Sequence, residues 1–203
     1  MAENQYGGAE FDNLLSKSSV EVQLNLEDLH LPSGYRFLPD DYELIIYYLL
    51  NKILHRRLPV DAIKVLDLYT CDPDKLPIKD FELSTENKAH YFMETRDTHV
   101  EQNVITTENG EWVQNGEEEA IHHGDNTIVG FKKVRHFQWK ISSPEVCETQ
   151  WIINELRLNI GVIPDQILMN NNIMKEFQRL NSLYIDQEDE DKNEDDNAVN
   201  LGV

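Results

Sequence analysis

The sequence predicts an α+β domain: a twisted antiparallel β-sheet flanked by a few helices. Three observations carry that expectation. The run Leu44–Leu50 is apolar or aromatic on nearly every face, as in a helix buried against more than one neighbour. From Lys88 onward the periodicity becomes that of strands, with His90–Met93, Ile128–Val134 and Trp151–Leu158 alternating or running apolar between turn residues. No long helical stretch interrupts them, and an order of this kind assembles as a sheet with its helices grouped at one side.

The 203 residues support one domain with tails. Residues 1–30 are a polar, Gly-containing flexible lead in which strand-like alternation begins only at Val20, so Val20–Leu26 is the part able to dock on the domain. The domain occupies 31–159 and opens with LPSGYRFLPDDYELIIYYLL. Pro32, Ser33 and Gly34 are turn chemistry, Tyr35–Phe37 alternate as a short extended segment, and Pro39 stops it. Asp40 or Asp41 caps the helix that follows. With Asp40 as cap, Glu43 stands at the third helical position, a capping box that also puts carboxylates at the positive end of the helix dipole. Lys52, Arg56 and Arg57 complement the dipole near the other end. Residues 61–77, DAIKVLDLYTCDPDKLP, read as a brief strand or turn and then a capped helical turn around Asp72 and Pro73.

Beyond the strands, 160–185 is a short helical or extended segment. Ile173, Met174, Phe177, Leu180 and Leu183 stand near helical spacing, as for a helix folded back on the domain or offered to a partner. The tail, 186–203, opens with eight acidic residues and one Lys in DQEDEDKNEDD, a disordered composition. No aromatic or bulky apolar residue interrupts that charge, so it reads as a solvating tail rather than an activation segment. A second role, repelling DNA or covering a basic patch, stays open.

No apolar run approaches the roughly 20 residues that span a bilayer, and MAENQYGGAE has neither the basic nor the apolar part of a signal peptide. A soluble intracellular protein without membrane contact is expected, with Cys71 and Cys147 as thiols. The formal net charge is -20, from 18 basic and 38 acidic residues. Charge of that sign repels nucleic acid, so any DNA binding has to rest on a local patch. One basic island exists, VGFKKVRHFQWK at 129–140, with Lys132, Lys133, Arg135 and Lys140 among Phe131, Phe137 and Trp139 and no acidic residue. In a strand Lys133 and Arg135 share a face and Lys132 opposes them. His122 and His123 lie near glutamates, but neighbours in a strand point to opposite faces and no second pair follows, so no metal is expected. No Ser/His/Asp order, Gly-rich phosphate loop or Cys/His ligand spacing stands out, and neither enzyme activity nor a cofactor is expected.

Four blocks then belong together: Leu31, Pro32, Gly34–Phe37, Pro39 and Glu43-Leu44; Asp67–Tyr69, Asp72, Pro73, Leu76 and Pro77; Tyr91, Phe92, Arg96 and Asp97; and Trp151, Glu155, Arg157 and Leu158. Over 31–159 they resemble the NAC domain, a plant family of DNA-binding transcription factors. The first block departs from the family pattern at Asp40 and Tyr42, where the family has Thr and Glu. The resemblance implies a twisted antiparallel sheet with helices, a nuclear location, and dimers formed with itself or with other NAC-family proteins through a reciprocal salt bridge of Arg36 and Glu43. A pair repeated by a two-fold axis gives two charge-assisted contacts, and the planar fork of Arg suits a carboxylate.

The family strand that enters the DNA major groove resembles the text around Trp112, which keeps Trp112 and Gly116. Its groove-facing Lys is here Val113, its Ala Gln114, its Thr Asn115, and its Asp is Glu118 beside Glu117 and Glu119. From Glu101 to Asp125 there are seven acidic residues and no Lys or Arg. Losing a lysine that meets guanine acceptors removes about 1–3 kcal/mol of discrimination, while the amides of Gln114 and Asn115 are of the kind that reads adenine. Two functions therefore compete. The first is sequence-specific binding of double-stranded DNA as a dimer and regulation of transcription, with Lys132, Lys133, Arg135 and Lys140 on phosphates and Trp112, Gln114, Asn115 and Gly116 presented to the groove. The second is a dimerisation module impaired in DNA binding that modulates competent family members through mixed dimers, since the dimer block is nearly intact and the DNA block eroded.

Overall fold

Asp40 opens the first helix by the reciprocal bonds that its spacing to Glu43 allows: its Oδ1 accepts from the Glu43 N–H at 2.7 Å, and Glu43 Oε2 accepts from the Asp40 N–H at 3.0 Å. The computed structural model describes residues 36–66, 71–78, 88–94, 103–124, 127–142 and 145–187. The lead 1–30, the turn 31–35, Asp67–Tyr69, Arg96, Asp97 and the tail beyond Gln187 lie outside the described residues.

Helix α1 runs without a break through an α-helical start, Asp41–Glu43, a π-helical middle, Leu44–Leu49, and an α-helical end, Leu50–Ile53. Five of the six residues in the middle are buried. It ends where His55 takes φ 53°, with the His55 N–H on Lys52 O at 3.1 Å and the Arg56 N–H on Asn51 O at 2.8 Å. This pair of bonds satisfies the last carbonyls as a Schellman motif does, with histidine at the position usually given to glycine.

Among the described residues seven strands follow: β1 Lys64–Leu66, β2 Lys88–Glu94, β3 Val104–Thr106, β4 Gly110–His123, β5 Thr127–Ser142, β6 Glu145–Leu158 and β7 Leu180–Gln187. Helices α2, Asp165–Leu168, and α3, Asn171–Arg179, lie between β6 and β7. The strands form one sheet in the order β1-β2-β7-β6-β5-β4-β3, parallel between β1 and β2 and antiparallel elsewhere. The α+β class is the one expected from the sequence.

The sheet does not close at residue 159. β7 lies between β2 and β6, pairing His90 with Tyr184 on one side and Asn154 with Tyr184 on the other. The apolar residues that sit near helical spacing at 171–184 divide at Leu180: α3 takes the first part, and β7 takes Leu180–Gln187, Asp186 included.

Residues opposite each other in a sheet share a face, which sorts the core into two halves. Beneath α1 lie His90, Phe92, Tyr184 and Leu156 from the sheet and Phe37 from the chain before the helix, with Phe37 edge-on to His90 at 5.1 Å. Gly130 lets the helix seat there, because a Cβ at that position would stand 2.5 Å from both Arg157 O and Ile45 Cδ1. On the other face Tyr91, Met93, Ile153, Ile185, Phe137, Trp112 and Ile105 are buried. The segment 71–78 comes against this face, where Pro77 O accepts from the Tyr91 hydroxyl at 2.8 Å.

Candidate nucleic-acid interface

β4 is the longest strand near the sheet's edge, and its root is fixed by an aromatic residue. Trp112 is 0% exposed, lies edge-on to Phe137 at 4.9 Å, and points its Nε1–H at Cys71 O, 3.5 Å away. The turn leading into β4 hangs on one buried carboxylate. Asp72 accepts from Thr107 Oγ1 at 2.5 Å, the Asn109 N–H at 3.2 Å, Asn109 Nδ2 at 2.7 Å and Lys75 Nζ at 3.2 Å. Burial pushes the Asp72 carboxyl up, but those donors outweigh it and hold the pKa at about 2.

β3 covers β4 only as far as Val113, with one further bond from the Gln114 N–H to Asn103 O at 2.7 Å. Past that point β4 is the outer strand among the described residues and breaks register with β5 between Asn115 and Glu119. Gly116 takes φ 76° in this bulge, a conformation cheap only for glycine. Gln114 turns its Nε2 to Gly116 O at 3.0 Å, so the amide read as a base reader is engaged along its own strand. Asn115 is exposed, and its Nδ2 lies 3.2 Å from His136 Nε2. His136 drew no notice in the sequence; its proximity to Asn115 arises from pairing across strands and leaves no local pattern.

The basic island divides as its alternation requires, and the two faces treat its cations differently. Lys132 turns toward α1, where its Nζ meets Asp41 Oδ2 at 3.0 Å and the Tyr184 hydroxyl at 2.8 Å. Lys133 faces the opposite way, level with Glu155. Arg135 is 0% exposed; its Nη1 donates to Asn103 O at 3.3 Å and its Nε is 3.6 Å from Glu155 Oε2. A guanidinium so enclosed reaches no phosphate unless the sheet opens. Lys140 is exposed near the ribbon's end and pairs with Glu111 at 3.1 Å, where bonds from Gln138 and then Lys140 hold the Glu111 carboxyl below its ordinary range.

Glu118, one of three consecutive glutamates, reaches across β5 to Arg157 on β6, and hydrogen bonding from that residue holds its carboxyl below the ordinary range. Among the described residues no three His, Cys, Asp or Glu side chains group as metal ligands, and no helix is long and apolar enough to cross a membrane. Cys71 and Cys147 carry thiols and are not joined in a disulfide. His123 stacks on Tyr42 at 4.5 Å.

Arg36 and Glu43 line one open groove of about 460 Å³ at the start of α1. Leu38, 61% exposed, Tyr47 and Pro59 add apolar surface to its lining. Arg36 is exposed, and Glu43 spends one carboxylate oxygen on the helix cap.

Residues 32–158 match the family described as No apical meristem (NAM) protein. The chain is 39% identical over 134 residues to NAC transcription factor 29 of Arabidopsis thaliana, covering 64% of this chain and 47% of that protein. It is 35% identical over 139 residues to NAC domain-containing protein 13 of Arabidopsis thaliana, covering 68% and 26%. It is 36% identical over 132 residues to NAC domain-containing protein 54 of Oryza sativa subsp. japonica, covering 64% and 20%. The chain thus spans less than half the length of each of these relatives.

Proposed function

The chain belongs to the NAC family, by its match to the NAM domain and to NAC proteins of plants, and on that footing we propose that it is a nuclear transcription factor that binds double-stranded DNA as a dimer. The observation that carries the reading is the form of β4. A strand anchored by buried Trp112 runs past β3 and offers exposed Asn115 and Gly116 at a bulge on the outer edge. The major groove admits a β-ribbon, and an Asn amide there can meet adenine in two places. His136 Nε2 stands 3.2 Å from that amide's nitrogen. Lys133 and Lys140 are the island's cations for phosphates, with Lys132 and Arg135 acting from inside the sheet. Arg36 of each copy meets Glu43 of the other across the groove at the start of α1, closing a dimer of the chain with itself or with another NAC protein.

The test is fluorescence anisotropy of the full chain with short duplexes bearing a family-type core site, at low and near-physiological salt. Saturable binding is expected, with a salt slope that falls by about two in the Lys133→Glu/Lys140→Glu double mutant, one unit for each phosphate contact removed. Failure to bind at low salt by a protein that sediments as a folded dimer would sink the DNA reading and leave a dimerisation module acting through mixed dimers.

A further inference from the structure

Arg157 and Phe131 face each other across β6 and β5, and the guanidinium carbon lies 4.0 Å from the centre of the Phe131 ring. A planar cation on an aromatic plate has a fixed direction. Its fork is filled by a carboxylate of the same chain: Nε donates to Glu118 Oε1 and Nη2 to Glu118 Oε2, both at 2.6 Å. Lys133, two residues along from Phe131 on the same face, adds its positive charge to the field at Glu118. A fork, a plate and a neighbouring lysine are the chemistry that recognises a phosphate, for which a carboxylate is the nearest substitute among side chains. Arg157 is 46% exposed and Glu118 28%, so solvent reaches the pair and a phosphate can exchange with the carboxylate.

We infer that Arg157, Phe131 and Lys133 form a phosphate site, and that Glu118 keeps it shut by occupying the guanidinium fork. Glu118 is then a built-in competitor for a backbone phosphate. The DNA half of this inference rests on the function proposed above; the phosphate half does not.

The experiment uses the full chain as wild type, Glu118→Gln, Glu118→Gln/Arg157→Lys and Glu119→Gln. Lysine keeps the charge of Arg157 and loses the fork, while Glu119→Gln removes the same charge from the exposed neighbour of Glu118. Duplex binding is followed through a salt series, and inorganic phosphate binding by NMR of the Arg157 Nε–H. Opening the site adds one phosphate contact. The salt slope of Glu118→Gln is therefore expected to steepen by about 0.9, equal to a further loss of about 3.5-fold between about 50 and 200 mM salt. Glu119→Gln is expected to keep the wild-type slope, and the double variant to share the steeper slope of Glu118→Gln but to bind duplex several-fold more weakly, since its lysine meets the phosphate as a point charge without the fork. Millimolar phosphate is expected to shift the Arg157 signal in Glu118→Gln far more than in wild type. If Glu118→Gln and Glu119→Gln behave alike in both assays, charge alone is at work and the inference falls, with the DNA reading intact. If no variant binds duplex but Glu118→Gln still binds phosphate at Arg157, the site stands and the DNA reading falls.

Discussion

Lys132 Nζ lies 3.0 Å from Asp41 Oδ2, joining the middle of β5 to the first turn of α1. Tyr184 of β7 supplies the third member at 2.8 Å. Burial pulls the lysine's pKa down, but the hydrogen bonds to Tyr184 and Asp41 win and raise it. A cation so held ties three distant parts of the chain together.

Lys132→Ala leaves Asp41 and the Tyr184 hydroxyl short of a partner in a half-buried place. It is expected to cost about 1–2 kcal/mol, a fall in Tm of roughly 2–8 °C for a chain of this size. Calorimetry reads the Tm and anisotropy the salt slope of duplex binding. An unchanged Tm with a slope reduced by about one would instead make Lys132 a phosphate contact.

Asp72 carries a pH signature. Its folded pKa of about 2 lies below the 3.8 ordinary for an aspartate, so the folded state binds its proton less readily than the unfolded one. The stabilisation is complete above about pH 4 and drains away as the pH falls toward 2, and it amounts to about 2 kcal/mol. Urea unfolding measured from pH 6 to pH 2 is expected to show this loss in wild type and to lack it in Asp72→Asn, which is already weakened at neutral pH. Parallel pH profiles for the two proteins would refute the role given to this carboxylate.

At Gly130 the neighbours decide. A methyl there meets a backbone oxygen, Arg157 O, and the tip of Ile45 at once. Ile45 can turn aside; the carbonyl cannot. Gly130→Ala is expected to destabilise by about 1–3 kcal/mol through displacement of α1 from the sheet, read as a lower urea midpoint. A midpoint at or above wild type would show that α1 has slack at that crossing.

Ending the chain at Asn159 keeps the whole family match, which stops at 158. It also removes β7 and leaves β2 and β6 with bare edges in the middle of the sheet. The truncated chain is expected to lose cooperative unfolding and dispersed amide signals, and to aggregate through those edges. A monomeric, cooperatively folding 1–159 fragment would disprove the structural need for β7.

What lies within one turn of chain was legible in the sequence. Asp40 and Glu43 are three residues apart and close the capping box because that spacing alone brings each side chain to the other's backbone. The α+β class was legible for the same reason, since the period of the apolar residues reports each element locally. Alternation likewise put Lys132 on the face opposite Lys133 and Arg135. Which face α1 would cover, and so which cations would turn inward, was not in the pattern. That was decided when α1 settled over Gly130 and Asp41 came to Lys132. The same holds for β7, for Asn115 with His136, and for Glu118 with Arg157: these partners stand 21 to 39 residues apart or on separate strands. No period relates such residues. They meet only because strand order and register, set by burial of the entire sheet, bring them to one place.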